Sequence, residues 1–158
     1  MPVRFLIADD MPAQQRLLAN VVLFLGGESR FAANGIEVLQ LAQEEPFDIV
    51  LLDLSMPQLG GVAAANELIE CWASHDRRPR IVAVTGEKDD GIRTLCRAVG
   101  MDGFITKPFS VASVRKTLKT LIRHGHCWPD GPSRRILDVG VSDADASGHA
   151  TGFEVEVL

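Results

Sequence analysis

The chain has no stretch approaching the roughly 20 apolar residues that cross a bilayer. Met1-Pro2-Val3-Arg4 leads directly into a strand-like run, with no secretory leader ahead of it. A soluble, cytoplasmic protein with no membrane partner is expected. The three cysteines, Cys71, Cys96 and Cys127, are odd in number and widely spaced, with no CxxC pair, so neither a disulfide framework nor a redox motif is indicated. Glycine-rich phosphate cradles are missing as well. No GxGxxG follows the first strand and no GxxxxGK[ST] occurs anywhere, which argues against dinucleotide and nucleoside-triphosphate binding. There is no basic stripe. The formal net charge is −5, and residues 124–158 hold six of the 21 acidic side chains but only two of the 16 basic ones. Direct nucleic-acid binding is therefore not expected.

What is present is one domain's length, 158 residues, with 46% hydrophobic residues to build a core. Apolar runs alternate with helical patterns. Val3 to Ala8 reads as a strand and Pro12 to Leu25 as a helix stopped by Gly26-Gly27. A short strand near Arg30 to Ala33 precedes the Asn34-Gly35 turn and a helix that ends before Pro46. Ile49-Val50-Leu51-Leu52 forms the third strand, followed by Gly60-Gly61 and a helix from about Val62 to Trp72. Ile81 to Val84, a helix from about Lys88 to Val99, Gly103 to Thr106, and a helix capped by Ser110 and reaching Arg123 complete five β–α units. Such alternation predicts a doubly wound parallel sheet with right-handed crossovers.

Residues 1–123 are thus read as one domain and 124–158 as a C-terminal extension. The extension contains two strand-like runs, Ile136 to Val141 and Phe153 to Leu158, separated by a Ser-Asp-Gly loop. A β-hairpin and a disordered tail are equally weighted readings, because an isolated hairpin is marginal in water. His124, His126 and Cys127 lie in one short stretch with no second ligand pair, so a zinc site is not expected.

Asp53 ends a fully apolar run, the pattern of a strand buried on both faces, and opens the turn Asp53-Leu54-Ser55-Met56-Pro57. Open α/β sheets bind ligands at the carboxyl ends of their strands. Asp9-Asp10, Thr85 and Lys107-Pro108 follow three other strands. Each residue alone has an ordinary explanation as a cap, a strand end or a solvated lysine. Together they make one polar site. Converging carboxylates repel by about 4 kcal/mol at 4 Å near a protein surface, and an oxygen-only acidic ligand set selects a hard cation such as Mg²⁺. Asp53 is then a candidate nucleophile for a phosphoryl group, with Lys107 and Thr85 as the charge and donor that stabilise its oxygens.

The set Asp9-Asp10, Asp53 with Met56-Pro57 and Gly61, Thr85, and Phe104 ahead of Lys107-Pro108 resembles the receiver domain of two-component response regulators. The resemblance runs from about Val3 to Arg123. It implies a flavodoxin-like (βα)5 fold of strand order 2-1-3-4-5. It also implies phosphorylation of Asp53 by a histidine kinase or phosphotransfer protein, with Mg²⁺ held by Asp9, Asp10, Asp53 and the backbone carbonyl of Ser55. By the same resemblance Thr85 and Phe104 are switch residues, Ser55 and Glu87 tune the phosphate lifetime, and the Lys107-Pro108 peptide matches the family's cis bond. A slow autodephosphorylation would accompany the signalling role, and the chain would not be an enzyme in its own right. A downstream protein target is implied and a homodimer is left open.

Departures from the family pattern are Gly60, Gly86 after Thr85, and Phe104 in place of the more frequent tyrosine. A pseudo-receiver that docks partners without phosphorylation is the alternative reading, opposed by the intact acidic set, Thr85 and Lys107. An aspartate-nucleophile phosphatase is weaker, because no second acid stands two residues beyond Asp53.

Overall fold

A computed structural model describes residues 2–73, 78–86 and 90–125. Five strands and five helices alternate: β1 Arg4–Ala8, α1 Pro12–Phe24, β2 Glu28–Ala32, α2 Gly35–Glu44, β3 Ile49–Asp53, α3 Gly61–Cys71, β4 Arg80–Thr85, α4 Asp90–Val99, β5 Gly103–Thr106 and α5 Val111–His124. The sheet is parallel throughout, in the order β2-β1-β3-β4-β5. The expected doubly wound architecture is the one observed. The strand-like runs of the extension, with His126 and Cys127, and also Glu87 and Lys88, lie outside the described residues.

Two apolar layers cover the sheet. Because strand side chains alternate between faces, Phe5, Ile7, Ile49, Leu51, Val82 and Val84 point to one side, where α1 and α5 close over them with Leu18, Val22, Leu118 and Leu121. Leu6, Ala8, Val50, Leu52, Ile81 and Ala83 point to the other, under α2, α3 and α4. Every residue of β3 is buried. Each fully buried leucine or isoleucine contributes about 1.5–3 kcal/mol, which holds the central strands and so the residues at their carboxyl ends.

Boundaries moved where the pattern was weak. The second strand begins at Glu28, two residues before the expected start, and ends at Ala32. It is an edge strand with only Ala32 buried, so no apolar alternation marks its start; pairing of Arg4 with Glu28 sets it instead. At the ends of α1, α3 and α5 the shifts are of one residue, and the expected start of α4 at Lys88 lies outside the described residues; α5 runs on to His124 and closes on Gly125 in the left-handed region at φ 80°.

Two glycines are required by close approach. A Cβ on Gly61 would stand 2.4 Å from the Asp53 carbonyl oxygen and 2.7 Å from Leu54 Cα; one on Gly35 would stand 2.3 Å from the Leu59 carbonyl oxygen. These contacts press the starts of α3 and α2 against the loop that follows Asp53. Gly61→Ala is expected to destabilise the fold by about 1–3 kcal/mol, the usual range for overpacking, whereas Gly60→Ala is expected to be near neutral, since its Cβ would meet only the Leu54 carbonyl at 3.7 Å. Urea denaturation of the two variants checks this; equal midpoints would contradict it.

Candidate functional site

Two adjacent strand ends, those of β1 and β3, supply one acidic cluster. Carboxylate oxygens of Asp9, Asp10 and Asp53 lie within 4.8 Å of one another, with Asp9 and Asp53 buried and Asp10 exposed. Asp9 follows β1 directly and Asp53 is the last residue of β3, and the pairing of these adjacent strands brings them side by side. The ordinary explanation is met as a turn former and not as a helix cap, since neither α1 nor α3 has a side-chain cap. Asp9 Oδ1 accepts the Met11 N–H at 2.9 Å, just ahead of α1, and Asp53 Oδ1 accepts the Ser55 N–H at 3.1 Å.

Each carboxylate turns its other oxygen toward the same cation. Lys107 Nζ stands 3.1 Å from Asp9 Oδ2 and 3.6 Å from Asp53 Oδ2. It comes from the residue after β5, and its backbone N–H donates to the Thr85 carbonyl at 2.7 Å, continuing the β4–β5 ladder by one step. The Lys107-Pro108 peptide is cis. One ammonium facing three carboxylates leaves the cluster net negative. Burial pushes the Asp53 carboxyl above its ordinary value; the Ser55 N–H and the Lys107 charge pull it down, and Asp9 and Asp10 push it further up.

Among the described residues this is the group of acidic side chains suited to a metal ion. The donor set fits Mg²⁺, which takes one or two carboxylates and completes its octahedron with water and phosphoryl oxygen.

Thr85 is buried at the end of β4. Phe104 pairs with Ala83, so both it and Thr85 belong to the face covered by α4. Its ring packs on that layer, and the Arg93 guanidinium of α4 lies 5.3 Å from the ring centroid. Phe104 is therefore displaced from the acidic cluster along β5 and connected to it through the Thr85 strand end. Ser55 is exposed beside Asp53. Gly86 is also open, since an added Cβ would meet only Lys107 Cβ at 4.0 Å.

One contributor was not anticipated. Gln15 donates from Nε2 to the carbonyls of Asp9 at 2.7 Å and Ala32 at 3.2 Å, bracing the ends of β1 and β2 beside the cluster. In the sequence it is one of two adjacent glutamines, Gln14 and Gln15, and nothing separates them until the helix is given its rotation. Gln58, in the loop after Asp53, has a φ of 70°, the positive-φ non-glycine residue among those described.

A family model described as the response regulator receiver domain matches residues 5–119. The chain is 30% identical over 141 residues to "Response regulator MprA" of Mycobacterium sp. (strain KMS), covering 88% of this chain and 60% of that protein. It thus spans about three fifths of the length of the curated relatives it matches. The chemotaxis response regulator CheY4 of Vibrio cholerae is similar in structure, with a TM-score of 0.69 and 25% identity, covering 77% of this chain and 99% of that one. A CheY-like receiver domain protein from Methanospirillum hungatei JF-1 shares the fold at a TM-score of 0.71 and 23% identity, over 78% of this chain and 95% of that one. The strand order, the acidic cluster at the strand ends and the match over residues 5–119 lead to one assignment: this chain belongs to the response regulator receiver domain family.

Proposed function

We propose that the chain is a phosphoacceptor receiver in which Asp53 takes a phosphoryl group from a phosphohistidine of a histidine kinase or histidine phosphotransfer protein. The observation that carries this reading is the placement of Lys107 Nζ against both Asp9 and Asp53 within a cluster of three converging carboxylates. An Asp53 carboxylate oxygen forms the O–P bond as the donor's N–P bond breaks, and the electron pair of that bond stays on the imidazole nitrogen. Charge spreads over three phosphoryl oxygens in the transition state, so fixed positive charge matters more than proton transfer.

Asp9, Asp10, Asp53 and the Ser55 carbonyl would hold Mg²⁺. When bound, the ion neutralises the carboxylates and the incoming oxygens. Lys107 exchanges its contact with Asp53 for one with a phosphoryl oxygen, and the Thr85 hydroxyl donates to another. Drawing Thr85 toward the phosphate biases Phe104 and the face beneath α4, a shift between two states driven by new charge. Ser55 and, by the family resemblance, Glu87 tune the lifetime of the phosphate, with slow self-dephosphorylation as the reset. A downstream protein reads the altered face. Two domains, 1–123 and 124–158, and action in the cytoplasm complete the reading.

The test is incubation of the whole chain with Mg²⁺ and a small acyl phosphate, or with beryllofluoride. One phosphoryl group by intact mass, lost when EDTA is added beforehand, and movement of the Phe104 amide in NMR spectra are expected. An unmodified chain and unmoved spectra in Mg²⁺ would replace this reading by that of a docking module without phosphorylation.

A further inference from the structure

At the opposite end of the sheet from Asp53, the chain forms a second, basic cleft of about 1010 Å³. Its walls are the amino-terminal ends of β1, β3 and β4 and the last turn of α5, and they include Phe47, Trp72, Arg78, Arg80, Arg123 and His124. We propose that this cleft is the docking site for the acidic segment Phe153-Glu154-Val155-Glu156-Val157-Leu158 of the same chain.

Charge is the first argument. Three arginines, with His124 beside them, line the cleft against one acid, Asp48. Arg78 is committed to Asp102, with bonds of 2.8 and 3.0 Å. Arg80 is 51% exposed and reaches the already paired Asp102 only at 3.7 Å, and Arg123 is exposed on the last turn of α5. The chain beyond Gly125 has six acidic residues and two basic ones, a balance of −4. Pattern is the second. In extended form Glu154 and Glu156 would share one side and Phe153, Val155 and Val157 the other, which suits arginines beside the apolar surface of Trp72 and the exposed Ile122.

Connectivity is the third argument. Gly125 itself lines the cleft, and a Cβ placed on it would be 3.2 Å from Arg80 Nη2, so the extension leaves α5 beside the arginine it is proposed to meet. Residues 126–152 number 27 and can reach up to about 90 Å at 3.3 Å per residue, so length does not limit the return. Carrying the segment on the same chain makes its encounter with the cleft intramolecular, so that weak ion pairs and a small apolar contact act at a raised effective concentration. The cleft is also at the upper limit of the roughly 300–1,000 Å³ typical of small-ligand pockets and is open, a form that fits a peptide better.

The docking does not depend on Asp53 chemistry, and phosphorylation is expected to be the same in every variant below. Trp128→Phe in the full chain leaves Trp72 as the sole indole, and its quenching by acrylamide reports the cleft. Glu154→Lys/Glu156→Lys is expected to raise the quenching constant about two-fold, as are Arg123→Glu alone and 0.5 M salt on the otherwise unaltered chain. Combining Arg123→Glu with the two lysines is expected to restore protection. Quenching that is the same in all these chains and insensitive to salt would overturn the proposal. Protection that increases with protein concentration would overturn it too, by assigning the segment to a second copy.

Discussion

Asp53→Asn is expected to abolish phosphoryl incorporation and, in metal-free buffer at pH 7, to raise the melting temperature. The first effect removes the attacking carboxylate, and no second route to an acyl phosphate at this position remains. The second follows from the cluster. Burial, reinforced by Asp9 and Asp10, pushes the Asp53 carboxyl above its ordinary 3.8 despite the Ser55 N–H and Lys107. The folded state therefore holds the proton to higher pH than the unfolded state does. Stability falls as pH rises from about 3.8 through the folded-state value, and the full cost is present above it. Asparagine carries no charge and escapes that cost. Relief of the burial cost of the charge, with the repulsion from Asp9 and Asp10 as the smaller part, is expected to raise the melting temperature by roughly 2–4 °C for each kcal/mol recovered in a chain of this size. The gain should be largest at neutral pH and vanish below pH 3, where both states of the wild-type carboxyl are protonated. It should also shrink in saturating Mg²⁺, which binds the wild type better and stabilises it by about 2.7 kcal/mol at a hundred times its Kd. Calorimetry across pH, with and without Mg²⁺, checks all three; a gain that grows toward acid would contradict the electrostatic account.

Lys107→Ala should have the opposite effect on stability while also impairing the chemistry. Asp9, whose side chain is 1% exposed, would lose the ammonium 3.1 Å away, and Asp53 the same charge at 3.6 Å. Removing one partner of a buried pair costs about 3–5 kcal/mol. Since the Lys107 side chain is 20% exposed and water can enter behind it, about 2 kcal/mol is expected here. Mg²⁺ should recover part of that loss by supplying the missing positive charge. The phosphorylation rate should not recover, because in the proposed function the carboxylates would hold the ion while Lys107 would meet a different phosphoryl oxygen; loss of one such fixed donor costs about 10²–10³-fold. Parallel measurement of melting temperature and initial rate in Mg²⁺ separates the two roles. Full rate at full Mg²⁺ would reduce Lys107 to a structural counter-charge.

The two substitutions thus move stability in opposite directions from residues less than 4 Å apart, and this sign difference was not legible in the sequence. Asp53 at the end of an uninterrupted apolar run is visible in the primary structure, because a strand buried on both faces needs such a run and must end where polar residues begin. The order of five strand–helix units was legible for the same reason: burial imposes a period of two or a continuous apolar run on strands and a period of 3.6 on helices. Where burial is weak, that information fades. Edge strand β2 shows only Ala32 to the core, and its start had to come from pairing with β1. Gln15 could not be told from Gln14 until helix α1 was rotated against the ends of β1 and β2.

The sequence by itself determined the fold class and named the acidic pair, Asp53, Thr85 and Lys107 as one polar set, since chain order and local periodicity carry that much. Only the tertiary structure decided which atoms face one another. It turned a second oxygen of both Asp9 and Asp53 toward a single ammonium and pressed α3 against the Asp53 carbonyl so that Gly61 has no room for a side chain. It also gathered arginines from distant segments into a cleft beside the start of the acidic extension. Those facts depend on contacts between residues far apart along the chain, whose distances are set by packing and by strand register, and no local pattern encodes them.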